Sequence, residues 1–229
     1  MSKSNEKYYS GESGEAYARH IGQDEVFHLG HVLQSRDFLP YLGENMDVLD
    51  FGCGNGALAT IISKSVRTIE GLEVNDYPRS LAEKENNLKV YSSIQELLIS
   101  GKKFDAIISN HVLEHVPNPI ETLKQLRESL NPDGVFVTML PIDDYRTAEN
   151  KQWQQGNLDR HLHTWTPLLI GNTFEDAGYL PTTIKIVKSA WSERFFFLGT
   201  GFMQAVVCRL LSSFLNRKQL FVVAQPSRK

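Results

Sequence analysis

Short apolar runs alternate with amphipathic stretches along most of this chain. Val48-Leu49 opens a strand over 47–51, and Ala57-Leu58-Ala59-Thr60-Ile61-Ile62 lies in a helix over 56–64. The alternation continues through strand 68–73, helix 78–86, strand 88–91, helix 94–99, strand 104–109, helix 118–130 and strand 134–140. Short apolar runs read as strands, and apolar residues spaced by three and four read as helices. Strand–helix alternation predicts an α/β fold, a doubly wound and mostly parallel sheet. Upstream, Val26, Phe27, Leu29, Val32, Leu33 and Phe38 mark an amphipathic helix within 24–42. The polar segment before it, 1–20, is expected to be a loose arm. Downstream, Thr166-Pro167 starts another helix, because Thr caps well and Pro fits the first turn. That helix ends near Gly178, and strands near 182–188 and 219–224 complete the sheet as a hairpin-like pair. Residues 1–45 are expected to cover part of a ligand site, and 46–229 to form one domain.

Two stretches depart from this rhythm. Residues 141–165 are polar and rich in Asp, Gln and His, which suits a lid or a substrate wall. Residues 192–216 form an apolar insertion centred on Phe195-Phe196-Phe197-Leu198 and Phe202-Met203-Gln204-Ala205-Val206-Val207-Cys208. A spanning helix needs about 20 uninterrupted apolar residues, and Arg209 breaks this run well short of that. Three roles remain open for 195–215. It can be a core or homodimer helix, a cover over an apolar pocket, or a peripheral membrane helix flanked by Arg194, Arg209, Arg217 and Lys218.

The candidate chemistry begins at Val48-Leu49-Asp50-Phe51-Gly52-Cys53-Gly54-Asn55-Gly56. Strand, glycine turn and helix let a ligand approach bare backbone at a helix N-terminus. A dinucleotide fingerprint is G-x-G-x-x-G. The spacing here is G-x-G-x-G, and Asp50 precedes it. A carboxylate in the turn repels a pyrophosphate and attracts an ammonium group. Glu73 ends the next apolar stretch, about twenty residues on, where a ribose-binding acid is expected. Two acids and a glycine turn suit S-adenosylmethionine better than NAD. The amino group falls near Asp50, the ribose hydroxyls on Glu73 and the methionine backbone along Gly52 and Gly54.

The same segment resembles motif I of the class I S-adenosylmethionine-dependent methyltransferases. Phe104-Asp105-Ala106-Ile107-Ile108-Ser109-Asn110 resembles that family's fourth strand. His111-Val112-Leu113-Glu114-His115-Val116-Pro117-Asn118-Pro119 resembles the "LEHVPDP" segment of the ubiquinone-biosynthesis O-methyltransferases and their small-molecule relatives. Ser129-Leu130-Asn131-Pro132-Asp133-Gly134 resembles the "LKPGG" turn into strand five. The resemblance spans about residues 46–185. It implies a Rossmann-like, seven-stranded sheet with helices on both faces and an antiparallel last strand. It also implies S-adenosyl-L-methionine as cofactor, S-adenosyl-L-homocysteine as product and a small-molecule acceptor, methylated at oxygen, with nitrogen as the alternative. Asn110 joins the cofactor residues at the end of strand four. The resemblance further puts Arg36 near the methionine carboxylate and Ser93 near the adenine. Most relatives carry an acid at the Ser93 position.

A general base is needed when the acceptor is a hydroxyl. His111, His115 and His161 are the candidates, since imidazole titrates near neutral pH. His111-x-x-Glu114-His115 also matches the H-x-x-E-H zinc-peptidase pattern, but its position after a strand beside a cofactor turn speaks against a peptidase. Some methyltransferases hold a divalent ion with a related E-x-x-E-H segment and a later histidine, and His161-Leu162-His163 loosely resembles that second element. Here His111 replaces a carboxylate, and no metal is expected. Two other readings stay open: a non-catalytic partner subunit, and a metal-dependent 2′-O-methyltransferase. Net charge of −3 shows no basic excess, so no nucleic-acid partner is expected. Two distant cysteines and no apolar leader suit a cytoplasmic setting.

Overall fold

A computed structural model describes residues 12–21, 25–142, 160–187, 197–199, 201–214 and 218–227. Most of the predicted lid-like stretch and the Phe195-Phe196 part of the apolar insertion lie outside these residues. The strands are β1 (Asp47–Phe51), β2 (Thr68–Leu72), β3 (Val90–Tyr91), β4 (Phe104–Asn110), β5 (Leu130–Pro141), β6 (Tyr179–Val187) and β7 (Gln219–Pro226). The helices are α1 (Glu12–Ile21), α2 (Glu25–Phe38), α3 (Ala57–Ile62), α4 (Asp76–Glu85), α5 (Ile94–Ile99), α6 (Pro119–Glu128), α7 (Pro167–Asp176) and α8 (Phe202–Phe214).

The seven strands form one sheet in the order β3-β2-β1-β4-β5-β7-β6. β1 to β5 pair in parallel, and β7 runs antiparallel to both of its neighbours. The order reverses between β1 and β4, so a crevice opens at their carboxyl ends, where such sheets bind ligands. Both faces of the central strands are buried, which explains their near-continuous apolar runs. Leu49, Ile107, Phe136 and Tyr179 pack on one face, under α6 and α7. Val48, Ala106, Ile108, Val137 and Phe221 pack on the other, with Leu58 and Ile62 of α3 and Phe38 of α2.

Three expectations are corrected. Residues 12–21 are helical rather than loose. Arg19 pairs with Glu15 one turn earlier and lies 4.3 Å from the Tyr77 ring centroid, which anchors α1. The amphipathic helix stops at Phe38, and Leu39–Tyr41 tightens into a 3-10 turn around Pro40, which has no amide for a continuing α-helix. β5 begins at Leu130 rather than 134. Leu130 pairs with Phe104, and Asn131 donates to the Asp105 carboxylate (2.7 Å), so the Pro-Asp-Gly stretch stays within the strand. Among the described residues, no helix is long and apolar enough to cross a membrane.

Candidate active site

β1 ends at Phe51 and the chain turns through Gly52–Gly56 into α3. The Gly52 and Cys53 amides both donate to the Leu72 carbonyl, at 2.8 and 3.2 Å, which ties the turn to the end of β2. Gly52 has φ of +76°, and a Cβ there would lie 2.3 Å from Val112 Cγ2. The loop after β4 therefore packs directly on bare backbone, and only glycine fits. Gly54 has φ of +55°, and a Cβ there would meet nothing within 4 Å. Its open side is the approach for a ligand.

Asp50 is 2% exposed, and its Oδ2 has no hydrogen-bond partner among the described residues. Burial, reinforced by Glu73, pushes its carboxyl up to about 7. Glu73 follows β2 directly. Its Oε2 accepts from the Gly54 amide (3.0 Å) and its Oε1 from the Asn75 amide (2.9 Å). Burial raises the Glu73 carboxyl, while those two amides and Arg79 oppose the rise. The Cys53 thiol is buried beside both acids and is pushed up, so it stays protonated. Asn110 ends β4, and its Oδ1 is also buried without a partner among the described residues. Asp50 and Ile108 are register partners, so Asp50 and Asn110 flank the β1–β4 reversal. Two unsatisfied acceptors in a buried crevice suit a cationic donor.

The histidines gather on the other side of Val112. His111 directly follows β4 with φ of +55°, and its amide donates to the Met139 carbonyl (2.9 Å). The Gln219 amide nitrogen lies 2.9 Å from its Nε2, so Gln219 donates and the ring hydrogen sits on Nδ1. That Nδ1 lies 3.5 Å from Oε1 of Glu114. His115 and His161 meet edge to face, with centroids 4.8 Å apart. His115 Nδ1 donates to the Arg160 carbonyl (3.3 Å), and His163 Nε2 to the Val116 carbonyl (2.8 Å). The structure thus brings His111, His115 and His161 around Glu114. Sequence reasoning weighed Glu114 only as part of a metal motif that it set aside, and did not place it among the site residues. It missed Gln219, which no local pattern marks.

Arg36 and Ser93 stand differently. Arg36 is exposed in the last turn of α2. Ser93 is the N-cap of α5, accepting from the Glu96 amide (3.2 Å), so its lone pair serves the helix and its hydroxyl hydrogen is left to donate.

A family described as a methyltransferase domain matches residues 26–183, well over half of the chain. The chain belongs to that family. The chain is 32% identical over 100 residues to a ubiquinone biosynthesis O-methyltransferase of Actinobacillus pleuropneumoniae serotype 5b, covering 39% of this chain and 43% of the relative. It is 31% identical over 102 residues to the mitochondrial enzyme of that name from Arabidopsis thaliana, covering 41% and 32%. The matches thus span less than half the length of these curated relatives. A chain from the complex of the Haloferax volcanii Trm112 methyltransferase activator with a methyltransferase superposes with a TM-score of 0.67 at 16% identity, covering 96% and 98%. The plantazolicin methyltransferase BpumL, solved with S-adenosylhomocysteine, gives 0.64 at 15% identity, covering 97% and 94%. Sheet order, topology and these neighbours make this a class I, Rossmann-like methyltransferase fold. The residues fit the family's cofactor. The orphaned Asp50 oxygen suits its ammonium group, the open face of Gly54 its methionine backbone, and Glu73 its ribose hydroxyls.

Proposed function

We propose that the protein transfers the methyl group of S-adenosylmethionine to an oxygen of a hydroxylated small molecule. The observation that carries this is the buried, unpartnered Asp50 oxygen beside an open glycine turn and Glu73. The cofactor supplies a methyl on a sulfonium, a good leaving group, so positioning and exclusion of water do much of the work. Asp50 and Asn110 accept from the ammonium, Glu73 holds the ribose, and Gly52 and Gly54 line the methionine. Arg36 and Ser93 are the outer candidates, for the carboxylate and the adenine. The acceptor enters from the histidine side, where His115 or His161 assists loss of the hydroxyl proton; His111 was the third candidate, but its Nε2 already accepts from Gln219 and its Nδ1 carries the ring hydrogen. His115 is oriented for this role by the Arg160 carbonyl, which accepts its Nδ1 hydrogen and keeps Nε2 on the Glu114 side. The names of the curated relatives support oxygen as the acceptor atom.

Titration calorimetry tests the cofactor. S-adenosylmethionine and S-adenosylhomocysteine should bind the purified protein and NADH should not. Binding of NADH alone, or of none of the three, overturns the reading. We also assign the exposed stripe of α8 to contact with an anionic lipid surface, a role supported by its apolar face and basic surroundings.

A further inference from the structure

We propose that Arg79 is a positioning residue for the cofactor, acting through the main chain of Glu73 to hold that carboxylate against the ribose. Arg79 lies in the first turn of α4, three residues after Asp76. A cation there opposes the helix dipole, which favours anions at the N-terminus. An arginine with no task would turn out to solvent. This one stays in, with 19% of its side chain exposed, while that of its partner Asp76 is 81% exposed. Its Nη1 donates to the Glu73 carbonyl (3.0 Å), and its Nη2 meets the Asp76 carboxylate. Fixing so long a side chain costs rotamer entropy, and the contact with Glu73 offsets it.

Glu73 stands past the end of β2 and before the start of α4, so no regular element orients it. Each of its polar groups is tied separately. Its amide donates to the Tyr91 carbonyl (3.0 Å). Its Oε2 accepts from the Gly54 amide and its Oε1 from the Asn75 amide. The guanidinium of Arg79 takes the remaining group, the carbonyl. The other bonds come from backbone amides and outlast any side-chain substitution. Arg79 is therefore the replaceable part of the mount. A carboxylate oxygen can accept more than one hydrogen bond. Each oxygen thus keeps room for one ribose hydroxyl. Two hydroxyls on neighbouring ring carbons need both oxygens at a fixed tilt, so the orientation of residue 73 matters as much as its charge.

The charge of Arg79 acts in the same direction. Asp50 and Glu73 face each other in the crevice, with the Cys53 thiol beside both. Burial raises the Glu73 carboxyl, and the Asn75 and Gly54 amides and Arg79 oppose the rise. Glu96, in the first turn of α5, is held low chiefly by its bonds to Ser92, and Arg79 adds to that. The guanidinium thus favours the ionised form of the acid that must accept both ribose hydrogens.

This deepens the assignment of Glu73 to the ribose and rests on it. The test separates the two. Calorimetric titration compares S-adenosylhomocysteine with its 2′,3′-dideoxy analogue, which lacks both hydroxyls. The proteins are the wild type, Glu73→Ala, Arg79→Ala and Arg79→Gln. The wild type should prefer S-adenosylhomocysteine by at least about tenfold, since hydrogen bonds to a charged group are lost with the hydroxyls. Arg79→Ala should weaken S-adenosylhomocysteine about tenfold and leave the analogue within about twofold, so the preference collapses. Binding of the analogue shows that the variant folds. An equal loss for both ligands marks a general structural role and overturns the inference, as does an undiminished preference. Should Arg79→Ala fail to unfold cooperatively on heating, Arg79→Gln decides by the same ratio. Loss of both ligands there also overturns the inference. A wild type without the preference, or a Glu73→Ala variant that keeps it, sinks the ribose assignment and the role of Arg79 together. A preference abolished in Glu73→Ala and intact in the Arg79 variants sinks the role of Arg79 alone.

Discussion

Asp50 couples cofactor binding to pH. An unfolded aspartate ionises near about 3.9, whereas in the fold this carboxyl ionises at about 7. Between those values the folded state holds one more proton than the unfolded state. Stability of the ligand-free protein therefore falls as pH rises from about 4 to 7. Binding an ammonium group needs the ionised carboxylate, so a proton competes with the cofactor. Affinity for S-adenosylmethionine should drop about tenfold between pH 8 and pH 6, with proton release visible by calorimetry in buffers of different ionisation heat. Glu73 faces Asp50 and is itself raised, so the observed step belongs to the pair. Asp50→Asn should weaken binding and flatten its pH dependence; an unchanged profile in that variant rejects the ammonium assignment. The two glycines of the turn separate fold from function. Gly52→Ala drives a Cβ into Val112 and should cost about 2–4 kcal/mol in thermal or denaturant unfolding. Gly54→Ala meets no neighbour, so it should cost only about 1 kcal/mol and act chiefly on cofactor affinity.

At the scale of elements, α4 shows how caps decide boundaries. Its pattern predicts a start at 78, but it begins at Asp76 because the Asn75 side chain accepts from the Tyr77 amide (3.0 Å). Asn75→Ala should cost about 1 kcal/mol of stability, read from the shift in urea midpoint at unchanged slope. The Asn75 amide that binds Glu73 is backbone and survives, so cofactor affinity should change little. Elements with strong periodicity, β1, β4 and α6, were legible to within a residue or two. The glycine turn and its two acids were legible as well, because residues close in sequence or on adjacent parallel strands build them. The backbone fastening of 162–163 to Glu114 was not, although a motif likeness had set Glu114 and the later histidines side by side. It joins residues far apart in sequence through backbone bonds that no side-chain pattern announces. The Gln219–His111 contact, spanning 108 positions and two strands, is hidden for the same reason.

At the scale of the whole molecule, α8 is the feature the core does not absorb. Its inner side buries Gln204 and Cys208, with the Gln204 amide donating to Cys208 Sγ (3.0 Å). Its outer side carries Phe202, Val206, Leu210 and Phe214 at four-residue spacing, Phe214 being 87% exposed. A continuous apolar stripe of this kind marks an interaction surface. From Arg194 onward the given sequence has no acidic residue, while Arg209, Arg217, Lys218, Arg228 and Lys229 are basic. An apolar helix face among basic residues suits insertion at an anionic headgroup layer, where burial and electrostatic attraction add. The protein should co-sediment with vesicles containing anionic phospholipid and far less with neutral ones. Raised salt should weaken the contact, because the electrostatic part is screened. Phe202→Asp combined with Phe214→Asp should abolish co-sedimentation while leaving S-adenosylhomocysteine binding intact, since neither ring touches the crevice at β1 and β4. A wild-type protein that ignores anionic vesicles and elutes at twice 26.0 kDa would mean that α8 meets a second copy of the chain instead.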